Sequence, residues 1–490
     1  MRGFRVGEPY RPLALLLIAG AIVGIAWALL VPAWQAPDEP AHFGYAQTLA
    51  EQGRLPAAEG DKRFSTEQEL AAEAVESDQL AANPLARPEW SEEEYERWRA
   101  QQAALDPGDR ADGDGAGPEG GNSARTNPPL YYAYELVPYY VASAGDLFDR
   151  YYLMRIWSAL LLLVAAAATW ALVRELAPNR PLLQLVAAAV VALQPMAAFV
   201  GSSINPDALL VASFAVALWL GVRVICRGLT LAAGTALCAA TAVAILTKAT
   251  GYALVPGVLL ALGLGAWRAG VGARVGSLAR AALPLLALAV PVGAWLVYAR
   301  ASSRPAVNQV AAADAGIDHP GLFSYIWQFY LPHLPGQLPL PTNYPSLPAL
   351  EFWLKGFWGK FGWLEIELPN ALFAVLGTVT ALALIGALVR VFRGDRGRNL
   401  RVAAFLALVA ATLVGGLHLT EYRILAGENG VFNQGRYLLP LVPVVGLACA
   451  AALSLLTRER WRAVGAGALV GLLFVAQVTA LAVVGARFYA

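Results

Sequence analysis

The stretch LALLLIAGAIVGIAWALLVPAWQAPDEPAHF, residues 13–43, sets the fold class and contains the first candidate site. Positions 13–32 carry no charge and are long enough, as a helix, to cross a hydrocarbon layer of about 30 Å. Arg2, Arg5 and Arg11 precede them, as before a signal peptide. The apolar run exceeds the usual core of about 7–15 residues, however, and predicts an uncleaved anchor with its N-terminus in the cytoplasm.

Outward from this run the same pattern recurs. Apolar stretches at about 13–32, 152–173, 182–200, 208–225, 229–246, 250–267, 281–299, 371–391, 402–419, 438–457 and 463–485 predict an all-α polytopic membrane protein of about eleven spans. The composition agrees: 58% of the 490 residues are hydrophobic and only 14% charged, against about 25% charged in ordinary soluble domains. A soluble enzyme is excluded, and a net charge of +1 gives no argument for a nucleic-acid partner. Cys226, Cys238 and Cys449 lie in or beside apolar runs without CxxC spacing, so neither a disulfide framework nor a zinc site is supported.

Eleven spans with a cytoplasmic N-terminus place 18 arginines in short inner loops with only Glu8, Glu175, Asp395 and Glu459. Every inner loop then obeys the positive-inside rule. The remaining acids fall outside, in two long non-cytoplasmic loops within a single integral membrane domain, 1–490. The first, 33–150, contains a flexible acidic insert, 57–126, which includes DPGDRADGDGAGPEGGNS. At its end, LYYAYELVPYYVASAGDLF (130–148) reads as an interfacial or re-entrant aromatic segment, since Glu135, Pro138 and five tyrosines suit the membrane boundary. The second loop, 300–370, holds a proline-rich run and then FWLKGFWGKFGWLEIELP.

Four constellations in this topology can carry chemistry. After the first span, Pro37 and Pro40 suit a helix's first turn and Asp38 and Glu39 its positive end. His42 then lies four residues after Asp38 and three after Glu39, on one face. Such a trio can supply a general base or ligands for a divalent ion, or can merely cap an interfacial helix. In GSSINPDALL, Asn205 and Asp207 flank Pro206, a pattern that an Asx turn with Asp207 as N-cap explains without chemistry. Lys248, in AILTKATGYALVPG, is the only charge between Arg227 and Arg268. It is read either as an anion-binding group or as a snorkelling tip. In ENGVFNQGRYLLPLVPV, Gln434, Arg436 and Tyr437 stand at the mouth of the tenth span. Arg436 offers a planar fork for a phosphate or a partner for Asp38 or Glu421. Glu365 and Glu367 rank lower, among interfacial aromatics. No Walker loop, dinucleotide fingerprint, GxSxG or HExxH is present.

The arginine-derived topology puts Asp38, Glu39, His42, Asp207, Lys248 and Arg436 on one side. Cations there can stabilise a leaving phosphate while a carboxylate takes a proton from an incoming hydroxyl. That chemistry suits group transfer from a phosphate-bearing membrane lipid, because nucleotide sugars are unavailable outside the cytoplasm.

PDEPAHF, NPPLYY, INPDAL, LTK, FWGKFGW and QGRYLLPLVP, spread over about residues 13–457, together resemble the bacterial membrane family called domain of unknown function 2142. That family is similar to the GT-C polytopic glycosyltransferases, which use polyprenyl-phosphate sugars and hold an acidic catalytic motif in the first outer loop. The resemblance implies a GT-C-like arrangement in the cell membrane, with its active face extracytoplasmic. It implies an inverting transferase that moves sugar from a lipid-linked donor to a glycan or protein acceptor of the envelope. Asp38 falls on the acidic position with Glu39 as its partner, and Lys248 and Arg436 become the donor-phosphate cations. Some members bind a divalent cation, but this chain has no DxD in its first segment. A transporter or flippase of a lipid-linked saccharide and a non-catalytic envelope-assembly scaffold are the alternatives. The near absence of ionisable residues inside the spans argues against transport.

Overall fold

The computed structural model describes residues 11–56, 64–89, 91–105, 122–270, 282–304, 320–340, 349–426 and 434–490. Arg2, Arg5, Arg274, Arg280, most of the connector at 106–123 and the end of the proline-rich run lie outside the described residues.

From α1 (Arg11–Leu30) the chain turns through residues 31–38 into five short helices: α2 (Glu39–Gln52), α3 (Thr66–Ala74), α4 (Ser77–Ala82), α5 (Glu92–Ala103) and α6 (Leu130–Val141). Next come α7 (Leu147–Leu176), α8 (Pro181–Ala192), α9 (Pro195–Gly201), α10 (Asp207–Arg227), α11 (Leu231–Thr247), α12 (Val255–Arg268) and α13 (Leu286–Ala301). α14 (Leu322–Tyr330) and α15 (Ala349–Trp358) precede a small antiparallel hairpin, Lys360–Phe361 against Ile366–Glu367. The chain closes with α16 (Asn370–Val391), α17 (Arg396–Ala426), α18 (Val442–Ser454) and α19 (Glu459–Tyr489).

The protein is an all-α polytopic membrane protein. Nine helical stretches among the described residues are long and apolar enough to cross, the bent pair α8–α9 makes a tenth, and the 17-residue α11 occupies the remaining predicted position. α7 and α10 form the centre, with 61% and 72% of their apolar windows buried, whereas α1 and α16 bury only 22% and 17% and turn the rest outward. Without a hydrophobic drive between helices in lipid, packing and polar contacts decide which helices sit centrally.

Two stretches differ from the sequence expectation or refine it. The run 182–200 is not one helix: α8 and α9 meet at a 57° bend. Pro195 is the physical reason, since it lacks the N–H that would continue α8 and its ring would strike the preceding turn. Gln194 caps the restart, accepting from the Ala197 N–H while its own amide donates to the Phe357 carbonyl. The aromatic segment after residue 130 forms the 12-residue α6, about 18 Å long at 1.5 Å per residue and too short to cross. It lies against α2 and α7 with Tyr131, Tyr132 and Tyr139 buried.

Among the described residues three spans open through 3-10 turns, and two of these turns position candidate residues. Lys248 is extended and leads into the turn Ala249–Leu254 before α12; Gln434 is extended and leads into Gly435–Leu441 before α18. A Cβ at Gly251 would come within 2.4 Å of the Ala244 carbonyl carbon, so only glycine lets the first turn fold back onto α11. At Gly435 a Cβ would approach the Gly356 Cα to 2.6 Å, so α15 and the second turn touch backbone to backbone. The opposite end of the bundle is arginine-rich, and there Glu175 at the end of α7 binds Arg223 at 2.9 Å and Arg227 at 2.6 Å.

Gly435→Ala is expected to destabilise the protein by about 1–3 kcal/mol through this overpacking, read as a lower thermal midpoint in detergent. Gly467→Ala in α19, where a Cβ would meet nothing within 4 Å, is expected to leave the midpoint unchanged or slightly higher.

Candidate functional site

Arg155, in the third turn of α7, is fully enclosed and ties together the segments around the site. Its guanidinium donates to both oxygens of Glu39, Nε to Oε1 at 2.8 Å and Nη2 to Oε2 at 2.6 Å. It also donates to the carbonyls of Ala28 at 3.1 Å, Val31 at 2.6 Å and Pro32 at 3.1 Å, which caps the end of α1. Glu39 additionally accepts from the Tyr151 hydroxyl at 2.5 Å and from the Ile204 N–H at 3.0 Å. The Tyr151 hydroxyl in turn receives the Trp34 N–H at 2.8 Å. Glu39 is therefore fully buried with its lone pairs occupied, and it stands apart from any reacting space.

One residue before it, Asp38 has φ 65°, in the left-handed region that a short polar side chain tolerates best after glycine. Its carboxylate caps nothing in α2 and instead turns to Arg436, whose Nη2 donates to Oδ2. Half of the Asp38 side chain, 51%, stays accessible, while Arg436 is enclosed. The Arg436 Nε and Nη1 have no hydrogen-bond partner among the described residues. Tyr437 presents its ring to both cations, 4.9 Å from the Lys248 ammonium and 5.4 Å from the Arg436 guanidinium.

Lys248 closes the group. Its Nζ donates to the Asp207 Oδ1 at 2.7 Å, so it is an ion-paired lysine rather than a lone snorkelling tip. Asp207 Oδ2 is buried with no hydrogen-bond partner among the described residues. The N-cap expectation for Asp207 is corrected here: it is the first residue of α10. The Asx-turn acceptor is Asn205, whose Oδ1 takes the Asp207 N–H at 2.9 Å. The Asn205 amide also donates to the Pro37 carbonyl at 3.3 Å, which ties the α9–α10 turn to the residue before Asp38. Gln434 precedes the 3-10 turn, with Oε1 buried and unpartnered among the described residues. The fold thus joins Asp38, Asn205, Asp207, Lys248, Arg436 and Tyr437 into one contact network and separates Glu39 from it. Lower-ranked Glu367 binds Lys355 at 2.9 Å and Lys360 at 3.0 Å beside the hairpin.

His42 lies one turn into α2 with Nδ1 2.9 Å from the Tyr132 hydroxyl, which also accepts from the Asn127 amide at 3.1 Å. Burial pushes its pKa down to about 4, against the pull of Asp38, so the ring is neutral at pH 7. Burial alone would raise the Asp38 carboxyl, but Arg436, His42 and Lys248 outweigh it and hold Asp38 below its ordinary value. For Lys248, burial opposes the charge, and Asp207 and Tyr437 raise the ammonium above its usual range. The residues do not fit a divalent ion at Asp38, Glu39 and His42. A guanidinium already engages each carboxylate, and Tyr132 engages one imidazole nitrogen. Among the described residues no group of three or more metal-ligating side chains converges.

Sequence reading passed over Arg155, Tyr151 and Tyr132. Arg155 had a signal: in DRYYLMRIW it is an arginine just inside an apolar span, a position that demands a partner. Glu135 is another buried group, accepting from Ser158 at 2.7 Å; burial raises its carboxyl to about 8, so it is a neutral acid at pH 7.

Breaking a buried ion pair leaves an uncompensated charge, so Arg155→Met is expected to cost about 3–5 kcal/mol. Arg155→Met combined with Glu39→Leu should recover much of that loss, and thermal unfolding of the two variants in detergent checks the order. His42 binds a proton near pH 6.5 when unfolded but only near pH 4 when folded. Its contribution to stability is therefore lost as pH falls through that window. His42→Gln is expected to flatten the pH dependence of the thermal midpoint between those limits.

Known proteins set this geometry in context. No curated protein sequence matches the chain. Among solved structures it is similar to ArnT from Cupriavidus metallidurans in the apo state, at 15% identity and a TM-score of 0.46 over 91% of this chain and 60% of that one. It is similar also to the Archaeoglobus fulgidus oligosaccharyltransferase complex with Zn and sulfate, at 11% identity and 0.48 over 96% and 53%. A third is AglB from the same archaeon in complex with an inhibitory peptide and a dolichol-phosphate, at 11% identity and 0.46 over 98% and 56%. The chain spans little more than half the length of these proteins. The model of a family described as predicted membrane proteins, DUF2142, matches residues 21–445, and the chain belongs to that family.

Proposed function

We propose that the protein is an inverting membrane glycosyltransferase that moves a sugar from a polyprenyl-phosphate donor to a glycan or protein acceptor of the cell envelope. The observation that carries this reading is the half-accessible Asp38 carboxylate beside an enclosed guanidinium and a partly buried lysine, with two nitrogens of Arg436 unpartnered among the described residues. An anion that enters there meets a fork of unused donors and a lysine, and a hydroxyl meets an ionised carboxylate.

In this mechanism the donor phosphate is held by Arg436 and Lys248, whose charges stabilise the oxygen that becomes the leaving group. The acceptor hydroxyl approaches the sugar C1 on the face opposite the phosphate. The new C1–O bond forms as the C1–O bond to phosphate breaks, and the bonding pair leaves with the phosphate. Asp38 takes the hydroxyl proton, and its accessible face releases it to solvent. Neutral His42 preserves the local charge balance, and Asn205 and Glu39 position the Pro37–Asp38 backbone. The distribution of arginines supports a cytoplasmic N-terminus, a plasma-membrane location and a site on the extracytoplasmic face.

The test is transfer from a synthetic polyprenyl-phosphate sugar in reconstituted vesicles. Asp38→Asn is expected to lower kcat by about 10²–10⁴, the usual contribution of a general base. Arg436→Lys, which keeps the charge but loses the fork, should mainly raise KM for the donor. Wild-type transfer by a folded Asp38→Asn protein would remove Asp38 as the base.

A further inference from the structure

At the arginine-rich end, far along the bundle from Asp38, α16 and α17 splay apart over α18 and leave a groove of about 340 Å³. Its walls are apolar, formed by Leu384 and Leu388 of α16, Leu406 and Ala410 of α17, and Leu447 and Ala451 of α18. One side is open, where Leu384 and Leu388 are exposed. On a membrane-spanning helix such an opening faces lipid chains rather than water.

The groove ends in charge. Arg390 and Asn399 line it; Arg393 lies in the α16–α17 connection, and Arg396, Arg398 and Arg401 in the first two turns of α17. Asp395 is the only acid in this run, and it stands 4.0 Å from Arg398, whose Nε is buried with no hydrogen-bond partner among the described residues. Glu175, at the same end of the bundle, is already held by Arg223 and Arg227. Asn399 shapes the connection by donating to the Arg390 carbonyl at 3.2 Å and the Arg393 carbonyl at 2.9 Å. An apolar slot of chain width with Arg390 in its lining, next to a connection and helix start rich in further arginines, is complementary to one kind of bilayer component.

We infer that this groove binds an anionic phospholipid of the surrounding bilayer, its acyl chain between α16 and α17 and its headgroup phosphate on Arg390 and Arg398. Basic pockets between membrane helices recognise lipid headgroups in this way, and each arginine near the surface contributes roughly 1 kcal/mol to the attraction, about fivefold in affinity. Small residues on α18, Ala448 and Ala451, let the chain lie close to the helix backbone. This inference is independent of the proposed transferase activity, since none of its residues belongs to the Asp38 network.

The full chain, delipidated in neutral detergent, would be titrated with phosphatidylglycerol or phosphatidylcholine and the retained lipid read by native mass spectrometry. Phosphatidylglycerol is expected to bind the more tightly, and Arg390→Gln with Arg398→Gln to weaken it about fivefold for each arginine removed while leaving phosphatidylcholine unchanged. Ala451→Phe, which fills the groove without touching the charges, should reduce retention of both lipids. Equal retention of the two lipids by the wild type would overturn the inference, as would undiminished phosphatidylglycerol binding in the Ala451→Phe protein. Displacement of phosphatidylglycerol by an equal amount of polyprenyl phosphate would also overturn it, by assigning the groove to that lipid instead.

Discussion

The Arg155–Glu39 pair is the constraint on which the rest of the site depends. A guanidinium and a carboxylate removed from water this completely lose hydration free energy that their mutual attraction alone does not restore. The deficit is offset only when the remaining donors and acceptors are also satisfied, and here they are. Three carbonyls of the α1 end, a tyrosine hydroxyl and the Ile204 amide complete the set. The partners come from the end of α1, from α7 and from the α9–α10 turn, so the pair fixes α1, α2, α7 and that turn against one another. Moving any of them uncovers a buried charge.

Because Glu39 is held on one side, Asp38 is forced to the other. A helix that starts at Glu39 with its side chain buried toward α7 leaves the preceding residue in the left-handed region, aimed across the bundle toward the tenth predicted span. There it meets Arg436, which the Gly356–Gly435 contact holds close to α15. Lys248 reaches the same space from the other 3-10 turn. The resulting cluster of two carboxylates and two cations is neutral in total, yet it is uneven: Asp38 is half accessible, Arg436 keeps unused N–H groups, and Asp207 keeps an unused oxygen. An anion that reached this cluster would gain hydrogen bonds from these groups.

The small net charge of +1 therefore hides two differently organised ends. At the Asp38 end, opposite charges are interleaved and paired within a few ångströms. At the other end, arginines outnumber the acids available to them and face the lipid surface. The same residue type does different physical work in the two places: Arg155 and Arg436 are enclosed and fixed, while Arg393 and Arg396 are exposed.

Most of the architecture was legible in the sequence, because membrane crossing is a local property. A run of about 20 uncharged residues has few alternatives to a helix in a hydrocarbon layer, so all eleven predicted positions fall on helices. The break at Pro195 was equally local and was passed over. The gathering of Asp38, Asp207, Lys248 and Arg436 at one end followed from counting arginines, which fixes sides but not contacts. Which charge pairs with which was beyond local reading: Asp38 and Arg436 are separated by 398 positions and Glu39 and Arg155 by 116. In the sequence Asp38 and Glu39 read as one site, Asp38 at the acidic position and Glu39 as its partner. Only the packed structure separates them, because three carbonyls complete the arginine beside Glu39 and a hydroxyl and an amide complete Glu39 itself, while Asp38 one residue away has none of these partners.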